Sequence, residues 1–231
     1  KLARTCANAL MQMDTFPDYT FIQSSALHLE WMKELYPQMF ERIKERVKEG
    51  RYEPNGGSYV ECDANLTGGE SMIRQFIFGQ KFLRDNFNYQ ADTYWLPDTF
   101  GYSAALPQIL NGCNIKYFMT TKLYANDTNR FPYDTFLWEG IDGSKVLVQF
   151  NNIHCYIDPS SVNHRLNFIK NYNNVPMTLI SYGFGDGGGG PFYDMIALAD
   201  ITKEGEYTCK IKHNTVSKHM QEVEKIAKDL P

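Results

Sequence analysis

The chain has 231 residues, 43% of them hydrophobic, 14% aromatic and 22% charged, a composition that excludes disorder, collagen, a coiled coil and a disulfide scaffold. Its 23 Lys+Arg stand against 27 Asp+Glu, a formal net charge of -4. There is no basic surplus for nucleic acid or an anionic membrane face, and no apolar run approaches the roughly 18–20 residues of a membrane helix. The length is ample for one buried core, and no repeat or low-complexity linker divides it. The five cysteines (Cys6, Cys62, Cys113, Cys155 and Cys209) are odd in number, far apart and without a CxxC pair. They argue against disulfides and a thiolate zinc site and for a reducing, cytoplasmic compartment. The sequons at Asn65 and Asn126 would matter only in a secreted protein.

Residues 1–13 are expected to be helical, and Tyr19–Gln23, rich in aromatic and β-branched residues, to be a strand. Trp31, Leu35, Met39, Ile43 and Val47 recur every four residues, so a helical stretch runs from about Ala26 to Glu49, split by Pro37 and stopped at Gly50. Ser58–Cys62 reads as a strand containing Glu61, and Ser71–Phe87 as a helix. Asp92–Leu96 is the next strand, and Ser103–Leu110 a helix closed by Gly112. Lys116–Thr121, Lys145–Phe150 (after the turn Asp142-Gly143-Ser144) and Thr178–Tyr182 complete six strands. Thr215–Lys228 closes as an amphipathic helix with Val216, Met220, Val223 and Ala227 on one face. Strands separated by helices point to an α/β fold with a mostly parallel sheet, and both a barrel and a doubly wound sheet qualify. The barrel is preferred, because the residues that look chemical all follow strands, the edge where such folds carry their sites.

At those ends stand Asp63, then Asp98 with Phe100 and Tyr102, then Lys122, then Asn151, Asn152, His154, Tyr156 and Asp158, and finally Phe184, Asp186 and the run Gly187–Gly190. Carboxylates with aromatic walls suit carbohydrate, the carboxylates serving as nucleophile and acid and the rings stacking on a sugar face. Asp and His at the rim equally suit a divalent metal. Each residue also has a plainer reading. Asp98 serves as a helix cap, Asp186 as a turn residue, Lys122 as the partner of an acidic neighbour and His154 as a structural histidine. His28 and His219 lie on expected helices and are read as solvated, as is the charged run Glu41–Glu49. The glycine run lacks a following Lys-Ser/Thr, so a phosphate loop is disfavoured. Its entropic cost suggests close backbone approach to a ligand or neighbour.

Gly56-Gly57-Ser58-Tyr59-Val60-Glu61-Cys62-Asp63, Gly69-Glu70-Ser71-Met72-Ile73-Arg74-Gln75, the long segment Trp95–Gln108 (WLPDTFGYSAALPQ) and Gly185–Pro191 (GDGGGGP) together resemble glycoside hydrolase family 38, the retaining α-mannosidases, in its cytosolic and bacterial branch. The resemblance implies an incomplete seven-stranded (β/α) barrel over residues 1–231, truncated at both ends with the first strand missing. It also implies a zinc-dependent exo-α-mannosidase acting on terminal α-mannosides of oligosaccharides through a covalent mannosyl-enzyme. Asp98 then corresponds to the nucleophile and a zinc ligand, Asp186 to the acid/base, and Phe100 lies against the sugar. Tyr102, Lys122 and His154 are the further substrate-binding candidates. The family's other zinc ligands, a His-x-Asp pair upstream and a distal histidine, have no match here. With Lys1 in place of Met, the expectation is the central part of a longer enzyme, inactive alone, whose full-length form can be a homo-oligomer. The contrasting readings are a degenerate barrel that binds a sugar without cleaving it and a phosphosugar enzyme using the glycine loop.

Overall fold

The computed structural model describes residues 1–124, 126–206 and 209–231. The helices are α1 (Leu2–Thr15), α2 (Ala26–Leu35), α3 (Pro37–Lys48), α4 (Gly69–Phe87), α5 (Leu106–Gly112), α6 (Pro159–Phe168), α7 (Tyr193–Lys203) and α8 (Val216–Ile226). The strands are β1 (Phe21–Ile22), β2 (Tyr52–Glu53), β3 (Thr93–Trp95), β4 (Tyr117–Thr120), β5 (Thr135–Glu139), β6 (Lys145–Phe150), β7 (Asn152–His154) and β8 (Ile180–Tyr182). They form three sheets. β1 pairs with β2 in parallel, β3, β4 and β6 are parallel with β5 antiparallel at the edge, and β7 pairs with β8 in parallel. A main-chain bond from Gly56 N–H to Thr93 C=O at 3.1 Å joins the first sheet to the second, and the chain runs from β6 into β7 through Asn151 alone. Parallel neighbours therefore follow one another in chain order, but no sheet among the described residues closes on itself.

The central sheet is apolar on both faces, as a parallel sheet covered on both sides must be. Tyr94, Phe118 and Val148 sit in register on one face and join the main core with Phe76 and Leu83 of α4 and Leu106 and Leu110 of α5. Trp95, Met119 and Leu147 alternate onto the other face and pack with Val216, Met220 and Val223 of α8. The expected apolar face of α8 is thus the observed one. In α2 it is not, for Trp31 and Leu35 are exposed while Leu29 and Met32 are buried. The helix break at Pro37 shifts the face, placing Phe40 and Ile43 of α3 in the core.

The expected strand Ser58–Cys62 is absent. Gly56 and Gly57 turn the chain with φ of +103° and +74°, and a Cβ on Gly56 would meet the Ser24 carbonyl at 2.5 Å. Beyond the turn Tyr59 N–H donates to Gln75 C=O and Val60 N–H to Gln75 Oε1, so these amides face α4 instead of a neighbouring strand. The real strand is β2, six residues earlier. The sequence reading also omitted β5, β7, α6 and α7. Helix α6 starts on a reciprocal capping box between Asp158 and Ser161.

His219, expected in solvent, is buried and hydrogen-bonded to Gln149. Burial holds its pKa down at about 4. Nearby, the buried Glu53 takes over the capping of α8 by accepting from Val216 N–H at 2.7 Å and Ser217 N–H at 2.8 Å. Burial pushes Glu53 up to about 7, against the pull of those two amides.

These two groups oppose each other. Between pH 4.5 and about 7 folded Glu53 keeps a proton that the unfolded chain has lost, so its contribution to stability falls as pH rises. Folded His219 resists protonation between pH 6.5 and about 4, so its contribution falls as pH drops. Glu53→Gln abolishes the first slope and leaves the second. Calorimetry should then show Tm rising more steeply from pH 5 to pH 7 than in the parent, on top of a loss of about 1 kcal/mol for the weakened cap.

Candidate active site

The site is built at the carboxyl ends of β3 and β4. Trp95 and Met119 are register partners, and Asp98 and Lys122 each stand three residues further along. Asp98 Oδ1 and Lys122 Nζ form an ion pair at 2.6 Å, with the aspartate side chain 54% exposed. The same ammonium lies 4.9 Å from the centroid of the Phe100 ring, itself 81% exposed. Thr121 Oγ1 donates to Pro97 C=O, stitching the two loops together.

Tyr102 supports this loop from below. Its hydroxyl is hydrogen-bonded to Thr99 C=O at 2.7 Å and to Thr120 Oγ1, and its ring packs edge-on against Phe118 at 5.0 Å. Burial raises the Tyr102 pKa, Thr120 opposes the rise, and the charge of Asp98 adds to it. Asp98 therefore does not cap a helix; α5 begins eight residues later and its N-cap is Ala105.

Two residues from earlier strand ends join the rim. Glu61, read from sequence as part of a strand, lies instead in the β2–α4 loop and accepts a hydrogen bond from Ser24 just beyond β1. Although the residue reaches solvent, protein crowds its carboxyl. That burial pushes its pKa up, Ser24 opposes the rise, and the Asp98 charge adds to it. Ser24 went unremarked in the sequence, yet it stands two residues past β1, where the same strand-end rule would have found it. Asp63 and Asp158 have local duties. Asp63 Oδ1 accepts the N–H groups of Asn65 and Leu66 at 2.8 and 2.7 Å, and Asp158 caps α6.

The structure thus brings Asp98, Phe100, Tyr102 and Lys122 together, whereas no direct contact among the described residues links them to His154 or Asp186. His154 ends β7 with its ring 6.1 Å from that of His164. Its Nε2 is buried without a partner, and burial, followed by the neighbouring His164, lowers its pKa. Asn151, wholly buried, donates to Ser181 Oγ at 2.9 Å and leaves its Oδ1 unpartnered. Asp186 lies in a one-turn 3₁₀ segment, Gly185–Gly187, with its carboxylate open to solvent. Phe184 and Phe192 flank the loop, ring centroids 4.6 Å apart. Gly183 N–H donates to His154 C=O at 3.1 Å, joining the last two strand ends.

Zinc finds only one of its implied ligands here. Asp98 supplies a carboxylate oxygen, but no three His, Cys, Asp or Glu side chains converge among the described residues, and Asp98 is engaged by a cation. These residues alone do not make a closed zinc site. No described helix is long and apolar enough to cross a membrane.

If the Tyr102 hydroxyl braces the Asp98 loop, Tyr102→Phe removes both of its hydrogen bonds at little cost in packing. The expected loss is about 1 kcal/mol. It should be read as a lower denaturant midpoint with an unchanged m value.

The family profile described as "Glycosyl hydrolases family 38 N-terminal domain" matches residues 1–231. The chain is 41% identical over 227 residues to Alpha-mannosidase G of Dictyostelium discoideum, covering 97% of this chain and 21% of that protein. It is 45% identical over 199 residues to human Alpha-mannosidase 2C1 (85% and 19%) and 38% identical over 201 residues to Alpha-mannosidase of Saccharomyces cerevisiae (85% and 18%). It therefore spans about a fifth of the length of these relatives. Among solved structures, an alpha-mannosidase from Enterococcus faecalis V583 superposes with a TM-score of 0.78 at 18% identity, over 99% of this chain and 27% of that one. A 4-alpha-glucanotransferase from Thermococcus litoralis gives 0.70 at 15% identity, over 95% and 37%; both show likeness of fold. On the strength of the full-length profile match and relatives at these identities, the chain belongs to glycosyl hydrolase family 38.

Proposed function

We propose that the protein containing these residues is a retaining exo-α-mannosidase acting on terminal α-mannosides of oligosaccharides, with Asp98 as nucleophile. One observation carries this reading: the Asp98 carboxylate stands open at the end of β3, ion-paired to Lys122 and beside the exposed Phe100 ring. The relatives named alpha-mannosidase support the substrate class. Lys122 holds the carboxylate in place at the rim, and the Phe100 face offers an apolar surface to a hexose. Attack of Asp98 on the anomeric carbon with departure of the leaving oxygen forms a mannosyl-enzyme, and water then releases mannose. Asp186 is the candidate to protonate the leaving oxygen and later to deprotonate the water. Tyr102 and His154 complete the candidate substrate contacts.

Zinc dependence belongs to the same proposal, with Asp98 as one ligand and the others supplied from outside these residues. The metal would hold substrate hydroxyls when bound. A partial seven-stranded barrel is supported by the chain-ordered parallel neighbours and by a cavity of about 710 Å³ between β1 and β8, lined by Phe21, Ile22 and residues 178–182 of the two unpaired edges. A cytoplasmic location is supported by five free cysteines.

Asp98→Asn, made in the complete natural chain containing these residues, should lower kcat on an aryl α-mannoside by about 10⁴-fold or more, the scale seen when a covalent nucleophile is removed. NMR of the first-formed product should show the α-anomer. Comparable rates for the two proteins would exclude the reading, and mannose-dependent stabilisation without turnover would establish the non-catalytic sugar-binding alternative.

A further inference from the structure

The glycine run has a neighbour that the site chemistry does not use. Thr5 and Asn8, one turn apart on α1, meet its far end. Gly189 N–H donates to Thr5 Oγ1 at 2.8 Å. The Asn8 amide donates to Gly189 C=O at 2.7 Å and to Pro191 C=O at 2.8 Å. Thr5 Oγ1 is itself turned to donate to Lys1 C=O at 3.2 Å, leaving a lone pair for the loop. The glycines are what permit this approach. Gly188, Gly189 and Gly190 have φ of +62°, +104° and +67°, left-handed backbone that a residue with a side chain adopts only under strain. At its near end the loop is held by the bond from Gly183 N–H to His154 C=O. Asp186 hangs between the two anchors in a segment where glycine's freedom otherwise permits many conformations.

We infer that Thr5 and Asn8 are positioning residues: they latch the glycine loop to α1 and so fix where the Asp186 carboxyl stands at the rim. The inference rests on the reading of Asp186 as acid/base. The chemistry of the latch is restrictive. A primary amide has two N–H groups for two carbonyls, whereas a carboxylate has none, so Asn8→Asp removes both bonds at nearly constant volume. Thr5→Val likewise removes the acceptor for Gly189 N–H, and Thr5→Ser keeps it.

The test uses the complete natural chain with two readouts. Hydrogen exchange of the peptide spanning residues 183–192 should speed up in Asn8→Asp and Thr5→Val and stay as in the parent in Thr5→Ser. An acid matters most for a poor leaving group. Thus kcat/KM on methyl α-mannoside should fall about 10- to 100-fold in the first two variants, the cost of misplacing a catalytic group by about an ångström. On a dinitrophenyl α-mannoside it should change less than about threefold, a split that general loss of folded protein does not produce. Unchanged exchange in Asn8→Asp overturns the latch, and faster exchange with an equal loss on both substrates overturns its positioning role. Asp186→Asn separates the two ideas. If it cleaves methyl α-mannoside at the parental rate while Asn8→Asp still loosens the loop, the acid/base reading fails and the latch survives as a structural contact.

Discussion

The parallel register between β3 and β4 is the constraint on which the site depends. With Trp95 opposite Met119, the residues three further on, Asp98 and Lys122, leave the sheet at the same level and reach each other. Because side chains alternate faces, a slip of β3 by one residue would turn Trp95 into the face of Tyr94 and Phe118 and move Asp98 out of level with Lys122. Burial on both faces resists the slip. Tyr94 and Phe118 are locked among rings from α4 and β5 on one side, and α8 covers the other. The hydrophobic effect sets the register, and the register delivers two charged groups to one point.

Buried polar groups then tie the outlying elements to this sheet. Arg165 of α6 and Asp134 before β5 are almost wholly buried. Arg165 donates to Thr178 Oγ1 and to Tyr124 Oη, and Asp134 accepts from Tyr124 Oη and from the Lys170 amide. Every member has a partner, the condition under which a buried charge is tolerable. The network joins the helical turn after Lys122 to α6 and to the run that becomes β8. Glu53 does similar work for α8, accepting helix amides from another part of the chain where Thr215 makes no side-chain cap. Both devices span long stretches of sequence, and both act beneath the rim without contributing to it.

The rim itself is divided in its mechanics. On the β3–β4 side the side chains hold one another: an ion pair, a cation over a ring, and a tyrosine bonded to two neighbours. On the β8 side the backbone is mostly glycine, and order comes from the His154 carbonyl and from α1. The first arrangement is preorganised by packing, the second by a few hydrogen bonds at its ends.

Read alone, the sequence established the α/β class, the extents of α4 and α8 to within two or three residues, the break at Pro37 and the strand ends that carry Asp98 and Lys122. These are legible because they rest on local physics: hydrophobic period, a ring that cannot continue a helix, and β-branched or aromatic runs. Tertiary contacts decided the rest. Ser58–Cys62 has strand-like residues, but two of its amides, those of Tyr59 and Val60, are taken by Gln75 of α4. His219 looks like a surface histidine until Gln149, seventy positions away, supplies its partner. Asn8 is an unremarkable helix residue until residues 189–191 arrive against it. In each case the partner is remote in sequence, and hydrogen-bond satisfaction in a closed interior, which no local pattern encodes, selects the outcome.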